Sequence, residues 1–206
     1  TPSGNMFSSL TSSLHMVKIV VIVIFALFLF RSTLIFIPAG HVGVVYDRGR
    51  GVLSGAMKEG LNFAIPLWQH VTLFDTRIQE YTMSQASDEG ALRRDDSLDA
   101  PTSDGQTVKV DATVLFKVNG EKAPEIMKTI GQDYVDKIIR PFSRSQIRMV
   151  ISRYNATAIY SEKRQEAETV MTQELGDMLT QKNLILVIVL LREVYFCAEY
   201  SKAIEE

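Results

Sequence analysis

The stretch QTVKVDATVLFKV, from Gln106 to Val118, alternates along its whole length. Val108, Val110, Ala112, Val114, Phe116 and Val118 share one face. Thr107, Lys109, Asp111, Thr113 and Lys117 line the other, with Leu115 as the exception. Successive side chains of a strand point to opposite faces, so this pattern predicts a half-buried strand in an antiparallel sheet. Upstream, HVGVVYD (His41–Asp47) and HVTLFDTRIQEYTM (His70–Met83) read as further strands. Downstream, Phe142, Ile147, Val150, Ile151 and Tyr154 recur at helical spacing after Pro141. A second helix carries the stripe Ala167, Val170, Met171, Leu175, Met178 and Leu179, with Ser161 as its expected cap and Glu162 in its first turn. LILVIVLL (Leu184–Leu191) is too short to cross lipid as a helix and reads as a buried strand. Strands followed by helices and a closing strand predict an α+β fold.

The longest apolar run is MVKIVVIVIFALFLFRSTLIFI, Met16–Ile37, unbroken from Ile19 to Phe30. As a helix its twenty-two residues would extend roughly 33 Å, enough for a bilayer core. Arg31 is placed to snorkel to an interface. Lys18 before an apolar stretch also fits the outline of a signal peptide, but Ile37 stands where a cleavage site wants a small residue, so a retained anchor is expected. The run predicts one crossing, with residues 1–15, a polar tail, on one side and the rest on the other. Lys18 against Arg31, Arg48 and Arg50 slightly favours a cytoplasmic C-terminal domain.

Between the strands, SQASDEGALRRDDSLDAPTSDG (Ser84–Gly105) is acidic and almost free of apolar residues, and reads as a long mobile loop. Its acids lack the spacing of a calcium loop.

Several function classes fall away. A net charge of -2 over 206 residues gives no footprint for nucleic acid. Gly49, Gly51 and Gly55 miss the dinucleotide-binding spacing by one residue, and Leu61 and Asn62 stand where a phosphate loop needs Lys and Ser or Thr. These glycines read as hairpin turns. His15, His41 and His70 have no metal-ligand spacing, and the single Cys197 has no flanking nucleophile motif. No catalytic, cofactor or metal residue is expected. A membrane-tethered enzyme whose site assembles only in the fold is the alternative.

These segments together resemble the SPFH (Band 7) superfamily, and its prohibitin branch most closely. The resemblance runs from Pro38 to Glu206. It rests on AGHVGVVYDRGRGV (Ala39–Val52) directly after an apolar span, EGLNFAIPLWQ (Glu59–Gln69), FDTR (Phe74–Arg77), SDGQTVKVDATV (Ser103–Val114) and IGQDYVDKIIRP (Ile130–Pro141). VYFCAEYSKAIEE is similar to the junction at which members enter a coiled-coil helix. The loop at Ser84–Gly105 is longer than the prohibitin pattern, and SDGQTV is equally like the stomatin branch.

The resemblance implies a non-catalytic membrane scaffold, built from copies of itself or a paralogous subunit in a large ring or cage. Such a scaffold organises lipid and protein and regulates a membrane AAA+ protease of the FtsH type; a stomatin-type regulator of channels is the alternative. It further implies a bacterial or mitochondrial inner membrane with the bulk of the chain on the non-cytoplasmic side. That outweighs the charge count, because large domains translocate regardless of a few charges. The expected organisation is a tail (1–15), an anchor (16–37), a membrane-apposed subdomain (38–83), an acidic loop (84–105), a second subdomain (106–197) and the start of a C-terminal helix (198–206). Phe63, Ile65, Leu67 and Trp68 are candidates either for the membrane interface or for simple core packing. Lys137, Arg140, Arg144 and Arg148 recur at three- and four-residue steps, and Glu162, Glu166 and Glu168 follow. They read as a solvated face, or as two patches that meet between neighbours in a ring.

Overall fold

The computed structural model describes residues 5–86, 88–91 and 95–196, with side chains from residue 15 onward. Helix α1 (Asn5–Thr33) opens the chain. Its stretch from His15 to Thr33 is long and apolar enough to cross a membrane. From Met16 to Phe30 almost every apolar side chain is exposed, so no core among the described residues accounts for them. The helix stops at Thr33, whose hydroxyl donates to the Leu29 carbonyl at 2.9 Å. The expectation of a helix through Ile37 is therefore corrected. Leu34–Ile37 forms strand β1, paired antiparallel with β4 (Gly60–Phe63). Its backbone groups find partners across a ribbon instead of along a further helical turn.

Strand β2 (His41–Asp47) lies between β3 (Gly51–Met57) and β5 (Gln69–Asp75) in an antiparallel sheet. Ile37 at the end of β1 is fully buried. It packs over Gly43, where an added Cβ would lie 2.6 Å from Ile37 Cδ1 and 2.8 Å from Val71 Cγ1. Gly43→Ala is expected to push the ribbon off the sheet and cost about 1–3 kcal/mol, read as a lower urea midpoint.

The larger sheet is centred on β8 (Thr107–Val118). Its six alternating apolar residues are all buried, as their spacing predicts. Along one edge of β8 lie β6 (Gln79–Met83) and β7 (Leu98–Pro101) end to end; β9 (Leu184–Phe196) runs along the other. Helices α2 (Ala123–Thr129), α3 (Arg140–Ile151), α4 (Ala156–Tyr160) and α5 (Arg164–Thr180) complete an α+β fold. A π-helical segment, Val135–Ile139, leads directly into α3, so the helical path does continue through Pro141. Tyr134 joins the two sheets: its ring centroid lies 6.2 Å from that of Phe74 and 6.4 Å from that of Phe116.

Three sequence expectations change. Residues 84–105 are not one loop, because Leu98 and Ala100 are fully buried in β7 and Asp96 is buried beside it. Strand β9 is not buried on both faces: Ile185, Val187, Ile188 and Leu190 remain partly open to solvent. Among the described residues it pairs only with β8, and α5 covers its outer edge. Thr172 Oγ1 accepts from Val189 N at 3.1 Å, and Glu168 Oε1 accepts from Leu191 N at 3.0 Å, so side chains stand in for a neighbouring strand. Ser161 does not cap the second helix; its hydroxyl donates back to the Thr157 carbonyl at 3.0 Å. Asn155 is the side-chain cap, accepting from Ala158 N at 2.7 Å at the start of α4. Glu162 precedes α5, and Glu166 occupies its first turn.

Candidate membrane-interface site

The ribbon β1–β4 begins where α1 ends. Ala64 N donates to the Thr33 carbonyl at 2.9 Å, tying the far end of β4 to the last helical residue. In the register, Leu34 faces Phe63 and Phe36 faces Leu61. Cross-strand partners share a face, so these four apolar side chains form one patch at the end of the apolar helix. Phe36 is 72% exposed, and Leu61 and Phe63 are each 62% exposed.

The turn after β4 continues the patch. Ile65, Leu67 and Trp68 are all more than half exposed, Leu67 to 85%. Leu67 also sits at a φ of 65°, a backbone conformation that costs a bulky L-residue of order 1–3 kcal/mol. The turn is held in place by its own groups. Gln69 N donates to the Ile65 carbonyl at 2.9 Å, and Gln69 Oε1 accepts from Ile65 N at 3.0 Å. The Gln69 amide then donates to Asp47 Oδ2 at 3.0 Å.

Asp47 is the anchor of this arrangement and is almost completely buried. Besides Gln69 it accepts from Gly49 N, Arg50 N and Arg50 Nη2, which also closes the β2–β3 turn. The Gln69 hydrogen bond, with those from Gly49 and Arg50, holds its carboxyl far below the ordinary carboxylate range against the opposing effect of burial. A carboxyl depressed on folding adds stability above its unfolded pKa and loses it as pH falls through the folded value. The hold on the turn therefore persists through neutral and mildly acid pH.

All four candidates, Phe63, Ile65, Leu67 and Trp68, thus lie on the surface beside the helix exit, and the core-packing alternative does not hold for them. Sequence reasoning missed Phe36 and Leu61. Phe36 falls inside the apolar run that reads as helix, and the alternation of Leu61 with Phe63 spans only four residues of strand. The glycines of the opening hairpin behave as expected in part: Gly49 and Gly51 lie at the β2–β3 turn, Gly51 with a φ of 76°, while Gly55 sits inside β3.

The charged candidates are arranged differently from the expectation of one open face. Arg140 Nη2 lies 2.7 Å and Arg144 Nη1 3.3 Å from Asp96 Oδ1. Arg144 also donates to the Asp96 and Ser97 carbonyls at 2.8 and 3.2 Å, and Arg148 Nε donates to the Asp99 carbonyl at 3.0 Å. These three arginines bind the segment leading into β7 to helix α3. Lys137 is exposed and pairs with Asp133 at 3.2 Å. Glu162 is exposed; Glu166 bonds Lys163 at 2.7 Å and Tyr154 at 3.2 Å. Among the described residues no cluster of three or more His, Cys, Asp or Glu side chains is placed to hold a metal. Cys197 and the expected helix at 198–206 lie outside the described residues.

Comparison with known proteins agrees with this architecture. The profile described as SPFH domain / Band 7 family matches residues 35–206. The chain is 24% identical to "Prohibitin-7, mitochondrial" of Arabidopsis thaliana over 87% of its own length and 60% of that protein's. It is 26% identical to "Prohibitin 1" of Bos taurus over 85% and 59% of the two chains. To "Prohibitin-2" of Mus musculus it is 25% identical over 85% and 54%. The chain thus spans under two thirds of the length of the curated relatives it matches. With its family profile matched from the first strand onward and prohibitins among its relatives, the chain belongs to the SPFH domain / Band 7 family as a prohibitin-like member.

Proposed function

We propose that this protein is a non-catalytic, single-pass membrane scaffold that assembles into a large ring or cage. The observation that carries the proposal is the continuous apolar surface from α1 through Phe36, Leu61 and Phe63 to Leu67 and Trp68. A helix with apolar side chains all round fits lipid as its solvent. An exposed Trp beside bulky apolar residues at the helix exit fits the interface of a bilayer. The helix anchors the chain, and the ribbon and turn seat the folded domain against the membrane.

Assembly uses copies of this chain or a paralogous subunit, extended by a coiled coil after residue 197. Its bulk lies on the periplasmic or intermembrane-space side, where it regulates a membrane AAA+ protease of the FtsH type. The prohibitin relatives, three of them from Arabidopsis thaliana named as mitochondrial, support this reading. A charged contact between neighbours rests on the exposed Lys137, Arg148, Glu162 and Glu166. Arg140 and Arg144 leave that set, because a buried carboxylate already engages them.

Extraction in mild detergent followed by sizing tests the scaffold. A particle on the order of a megadalton is expected for a closed assembly of many subunits. A monomer or small oligomer would instead favour the tethered-enzyme alternative.

A further inference from the structure

Beside the apolar turn lies a cleft of about 270 Å³ lined by Tyr46, Arg48, Leu67, Trp68, Gln69 and His70. We propose that this cleft binds the phosphate of an anionic phospholipid headgroup, with Arg48 and His70 as its donors. The inference rests on the membrane seating described above and adds a chemical preference to it.

Strand geometry brings the donors together. Tyr46 and His70 are direct cross-strand partners in β2 and β5. Trp68 and His70 are two residues apart, as are Tyr46 and Arg48, and Arg48 N donates to the Trp68 carbonyl at 3.2 Å. Arg48 directly follows β2 and Trp68 directly precedes β5, and with Tyr46 and His70 they bring a guanidinium, an imidazole, a phenol and an indole to the lining of one cleft.

Two features select for an anion. Among the described residues, neither the guanidinium of Arg48 nor the imidazole of His70 meets a carboxylate, whereas neighbouring Arg50 is paired with Asp47 at 3.2 Å. Asp47, the acid that would repel an anion, alternates to the opposite face and is buried under hydrogen bonds from Gln69, Gly49 and Arg50. Arginine donates a planar fork to phosphate oxygens, and a histidine ring carries an N–H in either protonation state.

Two more features select a lipid over free phosphate. Leu67, 85% exposed, and Trp68 form the apolar side of the same cleft. The turn that bears them is tied to the end of the membrane helix through Ala64 and Thr33. The site is amphiphilic in the sense of a lipid, with a guanidinium and an imidazole N–H beside an apolar wall.

The test uses the full chain in phosphatidylcholine vesicles with increasing phosphatidylglycerol. Trp68 is the only tryptophan, so its emission and its quenching by acrylamide report on this cleft alone. A saturable change with phosphatidylglycerol is expected. In Arg48→Gln with His70→Gln its half-point should move to about tenfold more anionic lipid, the loss of a charge-assisted contact. Arg48→Lys should recover part of the response. Lys58→Gln removes an exposed cation at the far end of the β2–β3 hairpin and should leave the titration unchanged.

An unchanged titration in the double variant, or an equal loss in Lys58→Gln, overturns the site in favour of diffuse charge. The same Trp68 response to inorganic phosphate in pure phosphatidylcholine overturns the lipid assignment. Shielding of Trp68 in phosphatidylcholine without any phosphatidylglycerol response leaves the seating intact and removes the headgroup site. Full access of acrylamide in both lipids removes both.

Discussion

Asp96→Ala is expected to destabilise the folded domain by about 3 kcal/mol, measured by urea denaturation in mild detergent. The Asp96 side chain is only 4% exposed and faces two guanidinium groups. It also accepts from the Tyr81 hydroxyl at 2.9 Å. Removing the carboxylate leaves two partly buried arginines without their counter-charge, and that uncompensated charge is the source of the loss. Arg144→Glu should do similar damage, since it sets a second carboxylate against the first. In this fold Arg144 is engaged within the subunit, by the Asp96 carboxylate and carbonyl. Tyr81→Phe should cost less, about 1 kcal/mol, because a neutral hydroxyl leaves and the ion pairs stay.

Tyr81 supplies a pH signature for the same cluster. Burial, and then the Asp96 carboxylate beside it, push its hydroxyl up to about 12. A group whose pKa rises on folding contributes its full stability below the unfolded value, about 10 for tyrosine, and loses it as pH climbs through the folded value. Stability should therefore fall between about pH 10 and 12, less steeply in Tyr81→Phe. Tyr195, raised to about 12 by the Glu193 carboxylate, titrates in the same window, so the difference between the two proteins is the informative quantity.

The second large effect belongs to the ribbon. Phe36→Ser with Leu61→Ser and Phe63→Ser should leave the urea midpoint in detergent nearly unchanged, because all three side chains are exposed in the folded chain. In vesicles the same variant should lose most of the contact between domain and bilayer. Each of these side chains contributes about 1.5–3 kcal/mol when taken out of water. The helix would still anchor the chain, while acrylamide should reach Trp68 freely. A protein destabilised in detergent by this variant would show that the patch packs inside the fold.

The features legible in the sequence were those with long, regular patterns. Strand β8 could be read because twelve residues alternate and one face meets a single core. The apolar helix could be read because nothing polar interrupts it between Ile19 and Phe30. Its end could not, because LIFI suits a helix in lipid and a strand equally, and the choice is made by Gly60–Phe63, more than twenty residues later. The same distance effect hid Asp96. In sequence it is one acid in a polar stretch; in the fold Arg140 and Arg144 reach it across 44 and 48 residues. Strand β9 looked buried because its run is apolar throughout, yet a sheet edge leaves one flank without a strand, and α5 covers that flank only with side chains. Phe63, Ile65, Leu67 and Trp68 could be named from their type, but whether they pack in the core or stand at the surface depends on how the turn at Leu67 folds.

The depth of the single Trp68 indole measures most directly whether the turn that bears it lies in the membrane interface. In vesicles containing lipids spin-labelled at the headgroup, at a shallow acyl position or near the bilayer centre, Trp68 emission should be quenched most by the shallow label and least by the central one. Equal and negligible quenching by all three labels, with emission typical of an indole in water, would place the turn away from the bilayer and leave the helix as the only contact between the described residues and lipid.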